Sequence, residues 1–169
     1  MSSARGRKPL IAPRTFDLND LIRKTVSCFR TYVGDHAVIE SPPCTTLPLF
    51  RGHSDTIERA TTALLGYSLR CLREQPGTIS VRTGIRFFPG IKRPGTYTFL
   101  EISDTGTDVT ALDRRATIED SESIMNAVMQ AVIDHEGDLV IRRTTGHYIT
   151  TLLLSAERNI SGKRARDDH

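Results

Sequence analysis

Apolar residues recur every three or four positions in three stretches of the chain, which is the spacing of one buried helix face. The first stretch is Thr15–Val33, where Asp17 or Asn19 can cap the start. The second begins at Ser54 or Asp55 and runs to about Arg73. The third starts near residue 121 and closes at His135-Glu136-Gly137, where we expect Gly137 to adopt the left-handed conformation. The pattern therefore predicts three amphipathic helices.

Two longer stretches alternate between apolar and polar residues, which predicts strands with one buried face. The strand Thr78–Phe88 should return through the turn at residues 89–95 and pair antiparallel with Tyr97–Asp104. Shorter strands are predicted at residues 37–40 and 46–50, as a hairpin, and at residues 138–143 and 148–155, as another. The side chains expected to point inward from the clearest strand are Ile79, Val81, Thr83, Ile85 and Phe87.

This order of elements predicts an α+β fold, a two-layer α/β sandwich with a mixed, mostly antiparallel sheet and helices on one face. We expect one domain over residues 15–156, a basic flexible tail over residues 1–14 and a polar flexible tail over residues 157–169.

Composition is that of a globular protein, with 38% hydrophobic and 25% charged residues in a chain of 169. No apolar run is long enough to cross a bilayer and residues 1–13 lack a secretory h-region, so we expect a cytoplasmic protein without membrane contact. Cys28, Cys44 and Cys71 show no C-x-x-C spacing. Three cysteines without that spacing argue against a disulfide framework and against a metal site.

Basic residues are concentrated near the two ends of the chain, yet the net charge is only +3 and there is no Trp. The small charge and the scarcity of stacking side chains disfavour nucleic acid as a partner. A nucleic-acid-binding regulator that uses the basic tails remains the weaker alternative. Its other cations would be Arg82, Arg86, Lys92 and Arg93.

The stretch YTFLEISDTGTD carries the candidate chemistry. Leu100, Ile102 and Asp104 fall on one face of a strand, and Gly106 allows a tight turn after it. A carboxylate at such a strand end can accept hydrogen bonds from the exocyclic amine of adenine. Asp-x-Gly is also ordinary turn chemistry, so both interpretations stay open.

The chain from Phe16 to Ser155 resembles the ATP-binding catalytic domain of sensor histidine kinases, in the superfamily that includes gyrase and MutL. Asp104-Thr105-Gly106 matches the D-x-G motif that binds adenine in that family. Four further segments are similar to the linker, first conserved helix, following strand and closing helix of the family: Phe16–Ile22, Arg51–Glu58, Gly77–Val81 and Ala131–Leu139 with Gly146. The resemblance implies the Bergerat-type fold.

The resemblance also places a nucleotide pocket, in vestigial form. In the family, an asparagine on the second conserved helix binds the magnesium that bridges the phosphates, and Ser68 stands at that position. Leu64 stands where the family has another asparagine, one turn earlier. A serine hydroxyl is a weak magnesium ligand without acidic help. From the residues alone, Ser68 points either at a ligand pocket or back to the carbonyl one turn earlier. Asp104, Gly106 and Ser68 are the candidate cofactor-binding residues.

Departures from the family motifs lie where phosphates would bind. Asp108 replaces the second glycine of the D-x-G-x-G loop. The glycine-rich stretch before the last helix is replaced by residues 122–126, which begin with Glu122, and Glu119 and Asp120 add further negative charge. Phosphoryl transfer needs Mg·ATP held in line, so we assign no catalytic residue and expect no bound cofactor.

We therefore expect a non-catalytic signalling or regulatory module in bacterial two-component-type regulation, acting by protein–protein interaction. Its partner would be a histidine kinase, a response regulator or a second copy of the chain, contacted through Phe16, Leu21 and Phe29. The same residues could instead pack on the domain's own sheet. The alternative is a nucleotide-binding protein that keeps adenine recognition at Asp104, for ATP or ADP, with or without weak kinase or ATPase activity.

Phosphotransfer through histidine is not expected from this chain alone, because the first helix contains no His and lacks a partner helix for a hairpin. The histidines at element ends are His36, His53, His135 and His147. We expect His135 to be structural.

Overall fold

The computed structural model describes residues 12–42, 46–72, 75–106, 118–144 and 147–160. Within these residues the chain forms three α-helices, one short 3₁₀ helix (Ala156–Arg158) and two sheets. The helices are α1 (Leu18–Arg30), α2 (Ser54–Leu72) and α3 (Ile118–Asp134). The strands are β1 (Arg14–Phe16), β2 (Ala37–Glu40), β3 (Leu49–Gly52), β4 (Gly77–Phe88), β5 (Gly95–Asp104), β6 (Asp138–Thr144), β7 (His147–Ser155) and β8 (Asn159–Ile160). The three helical stretches expected from periodicity are present.

The larger sheet has the strand order β2-β4-β5-β7-β6. Only the β2–β4 pair is parallel within it, and the other three pairs are antiparallel. Alternate residues of β4, β5 and β7 share one hydrophobic core with buried side chains of all three helices. The helices therefore cover one face of the sheet, which confirms the predicted two-layer, mixed and mostly antiparallel α+β sandwich.

A second, small sheet has the order β1-β3-β8 and corrects two predictions. The hairpin of β2 and β3 is wrong, because β2 pairs in parallel with β4 while β3 pairs with β1 and β8. Short strands carry too few side chains to specify a partner locally. The small sheet also includes Arg14 and residues 159–160, which lie in the segments expected to be tails.

The first helix begins later than expected. Residues 14–16 form β1, Asp17 accepts a hydrogen bond from the backbone N–H of Asp20 at 3.0 Å, and α1 then runs only to Arg30 rather than Val33. Asp17 is thus the N-cap. Phe16, Leu21 and Phe29, the side chains considered for a partner interface, are partly buried and pack against the core.

The inward face of β4 is as expected only over its first half. Ile79 and Val81 are buried, whereas Ile85 and Phe87 are exposed and Phe88 is buried. Phe87 and Phe88 lie opposite Thr96 and Gly95, near the turn between β4 and β5, where the helices no longer cover the sheet. On the opposite face, a small cluster there contains Phe88, Tyr97, Phe99 and Leu153.

The end of α3 corrects the prediction for Gly137. Glu136, with φ of 50°, occupies the left-handed position, and the N–H of Gly137 bonds to the carbonyl of Val132 at 2.9 Å. This is the Schellman arrangement with the cap shifted by one residue. Glycine is needed at 137 for a different reason, because a Cβ there would overlap the carbonyl oxygen of Leu153.

Candidate functional site

Asp104 is the last residue of β5, in the middle of the larger sheet. It lies opposite Ile79 of β4, and Leu100 and Ile102 on the same face of β5 are fully buried beneath the helices. The strand period therefore directs the Asp104 side chain toward the helical layer. Only 4% of the residue is exposed. The carboxylate is thus placed as the sequence predicted, at the end of a buried strand.

The Asp104 carboxylate is held by hydrogen bonds from within the fold. The N–H of Gly106 donates to its Oδ1 at 3.0 Å, and the hydroxyl of Ser68 hydrogen-bonds to it as well. Burial raises the pKa of Asp104 above 3.8, while the bonds from Ser68 and Gly106 and the proximity of His147 act in the opposite direction. A buried carboxylate with two internal donors has less capacity to receive a ligand's hydrogen bonds.

Ser68 has a partner that neither interpretation of the sequence named. It lies on the inward face of α2, is buried, and bonds to Asp104, a residue distant in sequence. Leu64, one turn earlier on α2, is also buried and belongs to the hydrophobic core. The helix therefore presents a hydroxyl already bonded to Asp104, and an isobutyl group, at the positions where the family has asparagines.

Gly106 follows Asp104 in a loop that packs closely on the end of α2. A Cβ at Gly106 would overlap the backbone carbonyl oxygen of Cys71. The loop is further fixed to β4, because Thr105 Oγ1 accepts a hydrogen bond from the N–H of Thr78 at 2.9 Å. Gly106 thus permits close packing on α2.

The residues expected to disfavour phosphate are only partly described. Asp108 and Gly146 lie outside the described residues, as do the side chains of Glu119 and Asp120. Glu122 is exposed on α3.

A cavity of about 270 Å³ lies between α2, α3 and the β6–β7 edge of the sheet. Leu64 and Tyr67 of α2 form one wall and residues of α3 another, and the floor comes from β6 and β7. Its described lining is mostly apolar and does not include Asp104. Burial raises the pKa of the Tyr67 phenol to about 12, with further increases from Cys71, Tyr148 and Asp104.

Tyr67 and Tyr148 are site residues that sequence reasoning missed. Tyr67 lies beside Ser68 and three positions after Leu64, so the stripe of α2 already contained the signal that it borders the same region. Tyr148 begins the last predicted strand, and nothing local indicated which element it would face.

His135 is a satisfied core residue at the end of α3. Its Nδ1 bonds to the carbonyl of Ala131 at 2.7 Å, and its Nε2 accepts the N–H of His53 at 2.9 Å. The ring is completely buried, and burial lowers the pKa of His135 below 6.5. Both ring nitrogens are engaged inside the fold, as a structural histidine requires.

Two other features are absent from the described residues. Within these residues, no group of three or more His, Cys, Asp or Glu side chains is arranged to hold a metal ion. In the same part of the chain, no helix combines the length and apolarity needed to span a membrane.

Solved structures of histidine kinases share this arrangement of elements. Histidine kinase AdeS of Acinetobacter baumannii matches with a TM-score of 0.62 at 15% identity, covering 86% of this chain and 68% of that chain. The catalytic domain of histidine kinase ThkA, nucleotide-free, matches with a TM-score of 0.64 at 10% identity, covering 85% of this chain and 95% of that chain. Full-length ShkA in complex with AMPPNP matches with a TM-score of 0.62 at 15% identity, covering 89% of this chain and 33% of that chain.

No protein-family model and no curated protein sequence matches the chain. The structural matches nevertheless confirm the fold that the sequence motifs indicated. The chain has the fold of the catalytic domain of histidine kinases.

Proposed function

We propose that this chain is a non-catalytic regulatory module with a histidine kinase ATPase fold, which acts in the cytoplasm by binding a protein of a bacterial two-component-type system. The observation that carries the proposal is the pairing of the buried Ser68 hydroxyl with the buried Asp104 carboxylate. Ser68 stands at the position that binds magnesium in the family, and Asp104 stands at the position that binds adenine. Their pairing uses part of the hydrogen-bonding capacity that a nucleotide site would need. The buried Leu64 adds no oxygen ligand one turn earlier.

The partner would be a histidine kinase, a response regulator or a second copy of this chain. The aromatic side chains of β1 and α1 pack on the core, so they support this contact less well than the outer face of α3 does. On α3, Met125, Met129 and Ile133 are spaced four residues apart and are between 38% and 67% exposed. Residues at this spacing form one stripe on a helix.

A titration with a fluorescent ATP analogue, with and without Mg²⁺, tests the non-catalytic part. The catalytic domain of ThkA, which has the same fold, serves as the comparison protein. We expect no saturable binding at millimolar nucleotide. Saturation well below that concentration, or transfer of the γ-phosphoryl group to any histidine, would overturn the proposal.

The protein-binding part is tested with Ile133→Glu. Sedimentation of the wild type and of the variant measures self-association, and binding assays against purified regulators and kinases from the same genome measure hetero-association. At least one complex should form and should weaken about tenfold or more in the variant, as expected when a charge enters an apolar contact. Arg59→Glu, on the exposed part of α2, is the control for a general effect of charge. Nuclease treatment identifies any complex that depends on nucleic acid, which would favour that alternative.

The second candidate function is adenine-nucleotide binding without efficient turnover. The position of Asp104 at the end of β5, with Gly106 two residues later, favours it. ATP or ADP would then be the cofactor, and the base would bond to the acceptor sites of Asp104 that Ser68 and Gly106 leave open. Binding of the analogue that is independent of Mg²⁺ and abolished by Asp104→Asn is the result that this candidate requires.

A further inference from the structure

The cavity between α2, α3 and the β6–β7 edge differs in chemistry from a nucleotide site. Ile124 and Val128 of α3 and Leu139 of β6 face Leu64 across it. Each of these four side chains is partly or fully buried and packs in the main hydrophobic core. The cavity is therefore an opening in the core itself, enclosed by aliphatic groups on three sides.

The polar groups of its described walls are uncharged. They are the phenols of Tyr67 and Tyr148 and the hydroxyl of Thr150. With a pKa of about 12, Tyr67 stays protonated throughout the physiological range. No Lys, Arg, Asp or Glu is among the described residues that line the cavity. A charged ligand would lose its hydration here without gaining a compensating ion pair.

The volume limits the size of a ligand. An apolar cavity of roughly 150 Å³ in another protein holds benzene, which has six non-hydrogen atoms. By proportion, about 270 Å³ holds a molecule of roughly ten to eleven. Entry is available on one side, because Met125 and Ile141 line the cavity and are both about half exposed.

The walls also favour a flat aromatic ligand over a branched aliphatic one. Two tyrosine rings offer faces and edges for aromatic contacts, and the Met125 thioether makes favourable contacts with aromatic rings. The hydroxyl of Thr150 can donate a hydrogen bond to a polar group on such a molecule, or accept one from it.

We propose that this cavity binds a small, uncharged, bicyclic aromatic molecule of about ten non-hydrogen atoms, with at most one hydrogen-bonding group. This site goes beyond the proposed protein-binding function, and neither depends on the other. It would make the module responsive to a small molecule through α3, the same helix that carries the exposed Met125, Met129 and Ile133.

Indole is the probe for this proposal, since it has nine non-hydrogen atoms and no charge. The protein contains no Trp, so indole emission can be followed against tyrosine alone. We expect a saturable blue shift of indole emission at submillimolar concentration, and at least tenfold weaker binding of the charged analogue indole-3-acetate. ATP added in excess should not displace the indole.

Three substitutions locate the binding. Ile141→Glu places a charge at the mouth of the cavity, on a residue exposed enough to tolerate it, and should weaken indole binding at least tenfold. Ile133→Glu makes the same change on α3 outside the cavity and should leave binding unchanged. Leu64→Phe should also abolish binding by filling the space, and circular dichroism reports whether each variant is folded.

The outcomes separate this proposal from the proposed function. Absence of saturation by indole, or equal binding by the Ile141 and Ile133 variants, overturns the cavity proposal and leaves the non-catalytic module intact. Displacement of indole by ATP overturns both. Binding of indole-3-acetate as tight as that of indole contradicts the uncharged character of the site.

Discussion

The Nε2 atom of His135 accepts the backbone N–H of His53 at 2.9 Å, and this bond joins the end of α3 to the start of α2 across 82 residues of sequence. The α2 N-terminus needs such acceptors, because its first N–H groups have no partner within the helix. Nδ1 of the same ring is bonded to Ala131. One neutral imidazole therefore links two helices.

Stability should fall when this imidazole has to be protonated. Burial lowers the pKa of His135 in the folded state below 6.5, so the unfolded chain binds more protons between that lowered pKa and 6.5. The free energy of unfolding should therefore decrease as the pH falls through this window. Urea unfolding at pH 7.5 and 5.5 measures the decrease.

Replacing His135 tests the same residue by another route. We expect His135→Ala to cost about 2–4 kcal/mol at pH 7.5, from the cavity and from the unpaired N–H of His53. The loss of stability between pH 7.5 and 5.5 should be smaller in this variant than in the wild type. His36→Ala, at a half-buried turn, is the control. An unchanged pH dependence in His135→Ala would show that other groups cause it.

The bond between Ser68 and Asp104 should be measurable as a coupling energy. Ser68→Ala removes one donor to a buried carboxylate and should cost about 1–2 kcal/mol. The cost should shrink by about 1 kcal/mol when Asp104 is already Asn, since hydrogen bonds to neutral groups are weaker. A double-mutant cycle in urea gives the coupling, and additive effects of the two substitutions would refute the interaction.

Asp104→Asn should itself raise the free energy of unfolding at neutral pH. Burial raises the pKa of Asp104 in the folded state. The stability that the protonated group contributes is therefore fully present below pH 3.8, and it is lost as the pH rises through the folded-state pKa. The amide avoids the cost of a buried charge. Asp35→Asn, at an exposed turn, should have little effect. A wild type more stable than Asp104→Asn at pH 7 would contradict this assignment of cost.

The end of α3 gives opposite expectations for adjacent residues. Gly137→Ala forces a methyl group into the Leu153 carbonyl and should cost more than about 3 kcal/mol. Glu136→Gly relieves the left-handed conformation and should stabilise by about 0.5 kcal/mol, after the entropy of an added glycine is subtracted. Thermal unfolding distinguishes the two, and similar losses in both variants would be inconsistent with this cap geometry.

The exposed and buried phenylalanines of β4 provide another internal comparison. Phe88→Ala should cost about 3 kcal/mol, because its ring packs in the cluster with Tyr97 and Leu153. Phe87→Ala should cost less than about 1 kcal/mol, since Phe87 is 58% exposed. The reverse order in chemical denaturation would restore the face assignment that alternation alone predicted.

Local sequence patterns predicted the elements that carry many side chains on one face. The 19 residues of α2 include nine buried ones, and a stripe of that length specifies both helix and inward face. The same holds for the inward face of β5 that ends at Asp104. Because these periodicities are local, they could be read without knowing the neighbours.

Features that depend on neighbours distant in the sequence could not be predicted in this way. The partner of β2 depends on the position of β4, and the two residues of β8 are too few to show a period. The contact of Ser68 with Asp104 and the enclosure of the cavity by α2, α3 and two strands likewise require the packed fold. The family resemblance supplied the position of Ser68 but not its hydrogen-bond partner.

In the small sheet, the first and last strands of the described chain, β1 and β8, lie on either side of β3. Phe50, at its centre, lies opposite both Phe16 of β1 and Asn159 of β8. Both outer strands run antiparallel to β3, so they run parallel to each other. Opposed forces applied at residues 14 and 160 would therefore load the hydrogen bonds on both sides of β3 in shear, together rather than one after another. We therefore expect the resistance of the domain to stretching to come from the three-stranded sheet, and not from the larger sheet that carries the candidate site.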